Sequence, residues 1–546
     1  MKNTQNNKGV YMKKKIFTII FTFLLITGVI FLVKINHQED KVKIQKISTQ
    51  EAIHFFCQNK SSDDQTVTNP ILNDFQVENL ESGDFIQYDY EEDKLFIVDY
   101  EQLTIIQLST KEIIKQIKID KFIPSEVLIT QNQIILIGIQ EILINMEIVP
   151  GRAFPYSESE SRIYIFSKQD YSIIRYFSFD ETYYLTSTLI GNELYLILAN
   201  YTIFNPETKT FIYPKYFDSV YYHQQLSPDN LYLSEAGNPT YSIRLMVKIA
   251  LNEIKPIEVK GILGVEGISK ITDSYILLTS ALYDQESKTA IHVFLLENLQ
   301  YKGYVVLKGY LLNQYSMDVY QNYLRAATNT FLNGQASNMI YNVSLNDFKI
   351  KSKKEIAPQE SIYSIRFDGN YCYLSTFLYI DPLFIFDFSN ASSIVEITKN
   401  KVDFCCDYLQ LIDNQLFTIG TSYDENMRSI GLVLALFDKE TLQIKDCCFY
   451  EGENIYSEVK YNEKAITRWN DYLFFPIMSS AGQSIQIIRI KDSIIQEAKL
   501  SNENDYMLRT IITQNQIIGI SSTKIYYYSL KNYQLTAEMV YKTIVN

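Results

Sequence analysis

The chain has 546 residues and a net charge of −13, with 43 tyrosines and 31 phenylalanines against 19 glycines, 12 prolines and one tryptophan. The acidity argues against nucleic acid or an anionic membrane face as the main partner. Six cysteines in so long a chain exclude a disulfide-built fold.

Residues 1–15 form a basic tail. The uncharged run Ile16–Val33 follows, 18 residues that would span ~27 Å as a helix. Lys13, Lys14 and Lys15 stand directly before it, which sets the N-terminus in the cytoplasm and the rest of the chain outside. No small-x-small cleavage site follows Val33 and no cysteine stands there to take a lipid, so the reading is an uncleaved signal-anchor rather than a removed signal peptide. Residues 34–72 read as a linker containing one short amphipathic helix, Thr49–Asn59.

From residue 73 onward the chain repeats. Phe85–Asp89, Lys94–Asp99, Leu103–Leu108 and Glu112–Ile119 make a first quartet of short strands, and comparable units start near residues 126, 182, 267, 314, 362, 406, 457 and 506. The spacing of ~45 residues is that of a four-stranded propeller blade. In each unit an apolar run ends in a polar turn, such as Asp368-Gly369-Asn370, and a second apolar-aromatic run follows. Continuous β-branched and aromatic runs suit strands covered on both faces. The expectation is an all-β fold, a single large β-propeller over residues 73–546 behind a transmembrane helix. Nine units are counted, and eight blades remain open if the first and last units share strands. The third unit is longer, and its irregular part from Pro206 to Tyr241 is expected to be a loop excursion over one face.

Cys405-Cys406 and Cys447-Cys448 fall in the first and last strands of one unit. Two readings stand: one disulfide between the pairs, or four strand cysteines packed as small apolar residues.

Three stretches carry a resemblance. Residues 309–328 read Gly-Tyr-Leu-Leu-Asn-Gln-Tyr-Ser-Met-Asp-Val-Tyr-Gln-Asn-Tyr-Leu-Arg-Ala-Ala-Thr. Residues 362–390 contain Ile-Tyr-Ser-Ile-Arg-Phe and Tyr-Ile-Asp-Pro-Leu-Phe-Ile-Phe-Asp, and residues 456–477 contain Tyr-Ser-Glu-Val-Lys-Tyr and Phe-Phe-Pro-Ile. Over residues 73–541 the chain resembles bacterial and archaeal secreted proteins with a C-terminal β-propeller domain distantly related to WD-type repeats. The resemblance implies the fold and an extracellular location, and no activity. Where that family has Gly-Val-Asp-Glu-Ala-Asp, this chain has Asn79-Leu80-Glu81-Ser82-Gly83-Asp84, which retains only the last acid as it stands.

No nucleophile elbow, zinc-type His-Glu-x-x-His, phosphate loop or dinucleotide fingerprint is present. Candidate ligand-binding residues are Asn313, Gln314 and Asp318, with Arg325 on the next strand, and Arg366, Asp381 and Glu458 in the corresponding regions of later units. His223, beside Tyr221 and Tyr222, is a further candidate. Innermost strands and loops of a propeller line a channel, so such groups could take a cation or a small acidic or sugar ligand. The competing reading is that they pin turns and neighbouring blades. No cofactor is expected; calcium is a conceivable ion without a motif behind it. The function expected is a binding or scaffold module at the cell membrane for an extracellular protein or an envelope glycan. The alternative is an envelope hydrolase or lyase using carboxylates at the channel mouth. The topology has a direct consequence: a reporter fused after Asn546 is expected to be accessible from outside intact cells, and a protected reporter refutes the anchoring.

Overall fold

The computed structural model describes Ile44–Lys46 and residues 85–546, except 101, 120, 150–151, 202–203, 206–209, 235–241, 284–285, 333–334, 378–380, 425, 427, 502–504 and 543–546. The expected signal-anchor and the helix Thr49–Asn59 lie outside the described residues. Among the described residues no helix is long and apolar enough to cross a membrane.

The described chain is a nine-bladed β-propeller. Blades 1 to 9 comprise residues 86–118, 122–180, 182–263, 269–308, 317–356, 361–402, 405–451, 467–501 and 507–540. In each, four strands pair antiparallel in chain order. Burial shows the radial direction. The middle strands Lys94–Val98 and Gln102–Gln107 are buried at consecutive positions, because a neighbouring blade covers each face. The fourth strand, such as Glu112–Lys118, is exposed almost throughout and forms the rim. The first strand is innermost and partly exposed, as in Thr182–Ile190.

Apolar side chains of adjacent blades interlock into separate cores, one for each junction described. Phe384, Phe386 and Ile365 of blade 6 meet Ala327 and Ile340 of blade 5, while Phe417, Leu434 and Leu436 of blade 7 meet Leu473 and Phe475 of blade 8. The ring closes in the same way. Ile86, Leu95, Ile97 and Ile106 of blade 1 pack on Ile518, Ile520 and Tyr527 of blade 9. The Lys111 ammonium lies 4.9 Å from the centre of the Tyr527 ring, and Lys542 meets Asp99 at 2.9 Å. Blades 1 and 9 each keep all four strands from their own segment, so strand sharing does not occur among the described residues and the count is nine.

Chain order sets the two faces of the ring. Connections from first to second and third to fourth strands open on one face, and these are short turns. Ion pairs there tie neighbours together: Asp89 of blade 1 to Lys168 of blade 2, and Asp368 of blade 6 to Lys439 of blade 7 at 2.7 Å. The other face carries the long departures. In blade 2, strands Gln133–Val149 and Arg152–Ser167 pair with each other well past the ends of their outer partners and extend the sheet outward as a hairpin.

The excursion after blade 3's second strand differs from the expectation of a loop over one face. It folds into strands against the rim. Lys215–Asp218 and Tyr222–Gln225 form a hairpin paired to the outer strand of blade 2. Leu231–Ser234 pairs in parallel with the outer strand of blade 3. Both therefore cover sheet edges that would otherwise stay unpaired. Arg175 holds the hairpin: its Nε and Nη2 donate to the two carboxylate oxygens of Asp218 at 3.1 and 2.5 Å, and Nη2 also donates to the Lys255 carbonyl at 2.9 Å.

The disulfide reading fails on geometry. Cys405 and Cys406 lie on the innermost strand of blade 7 and Cys447 and Cys448 on its outermost, with two strands between them. Three strand spacings are about 14 Å, beyond disulfide reach, and all four are free thiols.

Removing one member of the buried Arg175–Asp218 pair strands the other charge. Asp218→Ala is expected to lower stability by about 3–5 kcal/mol in chemical denaturation. A loss below about 1 kcal/mol shows that the hairpin is held by its strand pairing instead.

Candidate functional site

Between blades 7 and 8 the chain leaves the sheet for residues 452–466. Two single 3-10 turns form there, Glu458–Lys460 and Glu463–Ala465. Each is started by a capping side chain: Ser457 Oγ accepts from Val459 N at 3.3 Å, and Asn462 Oδ1 accepts from Lys464 N at 2.9 Å. Such caps replace the partners that short turns cannot supply to their own first amides.

The second turn stands in the channel, as its side-chain partners show. Glu463 accepts from the Tyr315 hydroxyl, at the entry to blade 5. It also meets Arg366 Nη2, on the innermost strand of blade 6, at 3.3 Å. The adjacent Lys464 reaches Glu126 Oε1 on the innermost strand of blade 2 at 3.8 Å. Blades 5 and 2 lie three steps from blade 8 in opposite senses around a ring of nine. Consecutive residues that touch both walls occupy the space between them, so this segment plugs the channel. Glu126 is in turn held by the hydroxyls of Tyr184, at 2.6 Å, and Ser187 from blade 3.

The wall on the Glu463 side is aromatic and cationic. The Arg366 guanidinium lies 4.0 Å from the centre of the Tyr315 ring and 5.7 Å from that of Tyr408. Lys270, on the innermost strand of blade 4, donates to the carbonyls of Gln314 at 3.1 Å and Met317 at 2.7 Å. Burial holds its ammonium pKa below the usual lysine value, and the carboxylates of Asp318 and Glu463 pull it back. Gly309 brings the chain to this wall at φ +94, where a Cβ would stand 2.5 Å from the Asn329 carbonyl oxygen.

The first turn anchors the plug. Lys460 meets Asp407 Oδ1 at 3.0 Å, and Thr421 Oγ1 donates to Asp407 Oδ2 at 2.5 Å. Asp407 and Tyr363 each occupy a bulge on an innermost strand, between Cys406 and Tyr408 and between Ile362 and Ser364. Bulges at the same place recur beside Glu126, Tyr184 and Arg509. A bulge re-aims the side chains around it, which is how alternating strands come to present charges to the channel. Burial pushes the Asp407 carboxyl up in spite of Lys460. Burial lowers Lys460 too, but the carboxylate and the nearby Tyr363 more than offset it, and the ammonium stays above its ordinary value. The two shifts weigh the pair differently. Lys460 keeps 17 % side-chain exposure against 1 % for Asp407, so the ammonium is the cheaper charge to hold and the cost of the pair falls on the carboxylate.

The sequence candidates divide. Arg366 lies in this site. Asn313 caps the turn that positions Tyr315, accepting from its amide at 2.9 Å, and the Gln314 carbonyl accepts from Lys270. Glu458 opens the first plug turn and accepts from Asn462 Nδ2 at 2.9 Å. Asp318 and Arg325 are a structural pair: they face each other across the first two strands of blade 5. Arg325 lies over the Phe367 ring at 4.8 Å and donates to the Gly369 carbonyl at 2.5 Å, joining blade 5 to blade 6. Asp381 begins the third strand of blade 6, opposite Val402, and so does not correspond to Asp318. His223 sits on the outermost added strand at the rim, exposed, its ring edge-on to Phe217 at 5.0 Å. The three acids considered for acid-base chemistry thus lie on an innermost strand, a third strand and a plug turn. Among the described residues no group of three or more His, Cys, Asp or Glu is placed to hold a metal ion.

Sequence reasoning missed Tyr315, Glu463, Lys464, Lys270, Glu126, Asp407 and Lys460. One signal was available: Ser457-Glu458 and Asn462-Glu463 are both cap residues followed by an acid, the pattern of short helical turns rather than of a strand.

The family model described as beta propeller domain matches residues 73–533. An uncharacterized protein of Methanocaldococcus jannaschii is 25% identical over 243 residues, covering 43% of this chain and 38% of that protein. One of Archaeoglobus fulgidus is 30% identical over 210 residues, covering 38% of this chain and 32% of that protein. The aligned stretch thus spans under two fifths of the length of either relative. Among solved structures, BamB from Moraxella catarrhalis is similar at a TM-score of 0.34 and 10% identity, over 57% of this chain and 91% of that one. The computationally designed Ika8 protein is similar at 0.35 and 8% identity, over 75% and 97%.

The buried anchor can be tested by a double-mutant cycle. Asp407→Asn alone is expected to cost about 3 kcal/mol, since it takes the carboxylate away from the Lys460 ammonium. Adding Lys460→Met recovers most of the loss if the pair is coupled; additive losses in thermal or chemical unfolding refute the coupling.

Proposed function

We propose, for a chain that belongs to the beta propeller domain family, a membrane-anchored binding or scaffold module whose propeller stands outside the cell. Its ligand is a protein or an envelope polymer, taken at the mouth of the channel where the plug enters. The observation that carries this reading is the asymmetry of the ring. The overshooting hairpin of blade 2 and the plug leave from one face, while the strand connections of the opposite face are short turns. Long connections on a rigid scaffold are where binding surfaces are built. The channel wall supports the same reading, since its charges are arranged in complementary pairs with aromatic platforms, a recognition surface by composition. The uncharged run Ile16–Val33 supports the membrane attachment.

Site-specific photocrosslinking tests the reading. Tyr461 on the plug and Tyr222 on the rim are similarly exposed, 68% and 67%. A crosslinker at position 461 in intact cells is expected to capture an envelope protein or polymer, and one at position 222 is not. Equal capture at both, or none at 461, refutes the mouth as the binding face.

A further inference from the structure

The Glu463 side of the channel has more positive charge than its partners use. Lys270, Arg325 and Arg366 stand there against Asp318 and Glu463, and these same groups are the charges that act on Lys270. Arg325 and Asp318 satisfy each other. Lys270 and Arg366 are left with one carboxylate between them, and the described contacts of the Lys270 ammonium are two backbone carbonyls and the Tyr315 ring, 6.0 Å away. Burying a cation against carbonyl dipoles and a ring face, with no carboxylate of its own, is costly, so the wall is suited to an anion.

The group that occupies it belongs to a segment anchored at its first turn, where Val459 is buried in the blade 7/8 core and Lys460 pairs with Asp407, but held by no sheet pairing beyond that. Residues 457–466 hold no place in a sheet: the bridge between Tyr456 and Met478 precedes them and the strand Thr467–Trp469 follows. Their backbone bonds are local, as from Tyr461 N to the Glu458 carbonyl at 2.9 Å and from Ala465 N to the Asn462 carbonyl at 3.1 Å. The opposite hold, Lys464 to Glu126, is a long pair at 3.8 Å whose lysine is exposed, of the kind that contributes little. Withdrawing the second turn therefore breaks side-chain contacts and no strand pairing.

We propose that this turn is a self-ligand: Glu463 fills a carboxylate site built by Arg366, Tyr315 and Lys270, which takes an acidic peptide segment of a partner protein when the turn withdraws. The proposal rests on the binding-module reading and narrows its ligand to a protein. A peptide is favoured over a glycan because the present occupant is one, a glutamate on a short helical turn whose backbone fits between the walls. Guanidinium on an aromatic face with a hydroxyl alongside is a geometry that fixes a carboxylate by direction as well as by charge. As a tethered competitor the turn acts at an effective concentration in the millimolar range, which sets the threshold a partner must exceed.

The test uses the full chain in detergent and a fluorescent peptide copying residues 457–465, read by polarisation, with melting temperatures confirming that each variant is folded. Glu463→Ala is expected to bind the peptide at least ~10-fold more tightly than the wild type, and Glu463→Gln to show the same trend. The peptide carrying Gln in place of Glu463 is expected to bind more weakly than the parent peptide. Adding Arg366→Met to Glu463→Ala is expected to abolish the gain. No gain in either Glu463 variant, or a gain that survives Arg366→Met, overturns the proposal. Oligogalacturonate bound by Glu463→Ala as tightly as the peptide overturns the ligand class. If position 461 still captures a partner in cells, failure here removes the self-ligand and leaves the binding face in place.

Discussion

Each blade of this protein is apolar on both faces, and no blade can satisfy that alone. A two-sided sheet loses most of its stabilisation if either face meets water, since burial of each large aliphatic or aromatic side chain is worth roughly 1.5–3 kcal/mol. The solution is to stand every blade between two others, which on a finite chain means a ring. The cores at the junctions are the expression of that constraint, and the packing of Ile86 and Ile97 on Ile518 and Tyr527 is its completion. The rim follows from the same rule, because the fourth strand of each blade is the last one the neighbours cover. Where two adjacent rims needed more, the chain spent its longest excursion on strands that pair with them.

A ring of nine also creates an interior that its own strands do not fill. The innermost strands are too far apart to pack on one another, and their bulges present charged groups to that space. The plug resolves the resulting problem locally. It supplies an acid to Arg366 and a base to Glu126, and it hangs from Asp407 through Lys460. The channel is thus neutralised by a segment with no sheet position of its own, so one structural need is met by an element that other ligands can imitate.

Much of the architecture was legible. Unit starts expected near 182, 362, 406 and 506 meet first strands at 182, 361, 405 and 507, because turn residues and apolar runs are local signals. The start near 457 marks the first plug turn instead, and the first strand of that blade begins at Thr467. The site was legible only where a residue also had a local reason to be noticed, as Arg366 and Asn313 did. Glu463 and Lys464 acquire meaning only from walls contributed by residues 97 or more positions away, and no local pattern states which blade faces which. Bulges were equally hidden, since Asp407 reads as an ordinary strand position until the register shift beside it is known. The cysteine pairs illustrate the converse: their places in one unit were read correctly, and strand order alone separates them.

The seam between blades 9 and 1 differs from the covalent continuity everywhere else in the ring. Among the described residues it is joined by side-chain contacts, such as Gln116 Nε2 donating to the Tyr541 carbonyl at 3.5 Å, a contact that spans 425 residues of chain. During synthesis the first blade emerges with one apolar face bare and keeps it so until the ninth arrives. At about 5–20 residues per second that interval is tens of seconds. While the chain is being made, the open arc is the long-lived state and closure the final event. The seam is therefore where a protective chaperone has most to cover, and where a newly made molecule is most prone to join a second copy instead of itself.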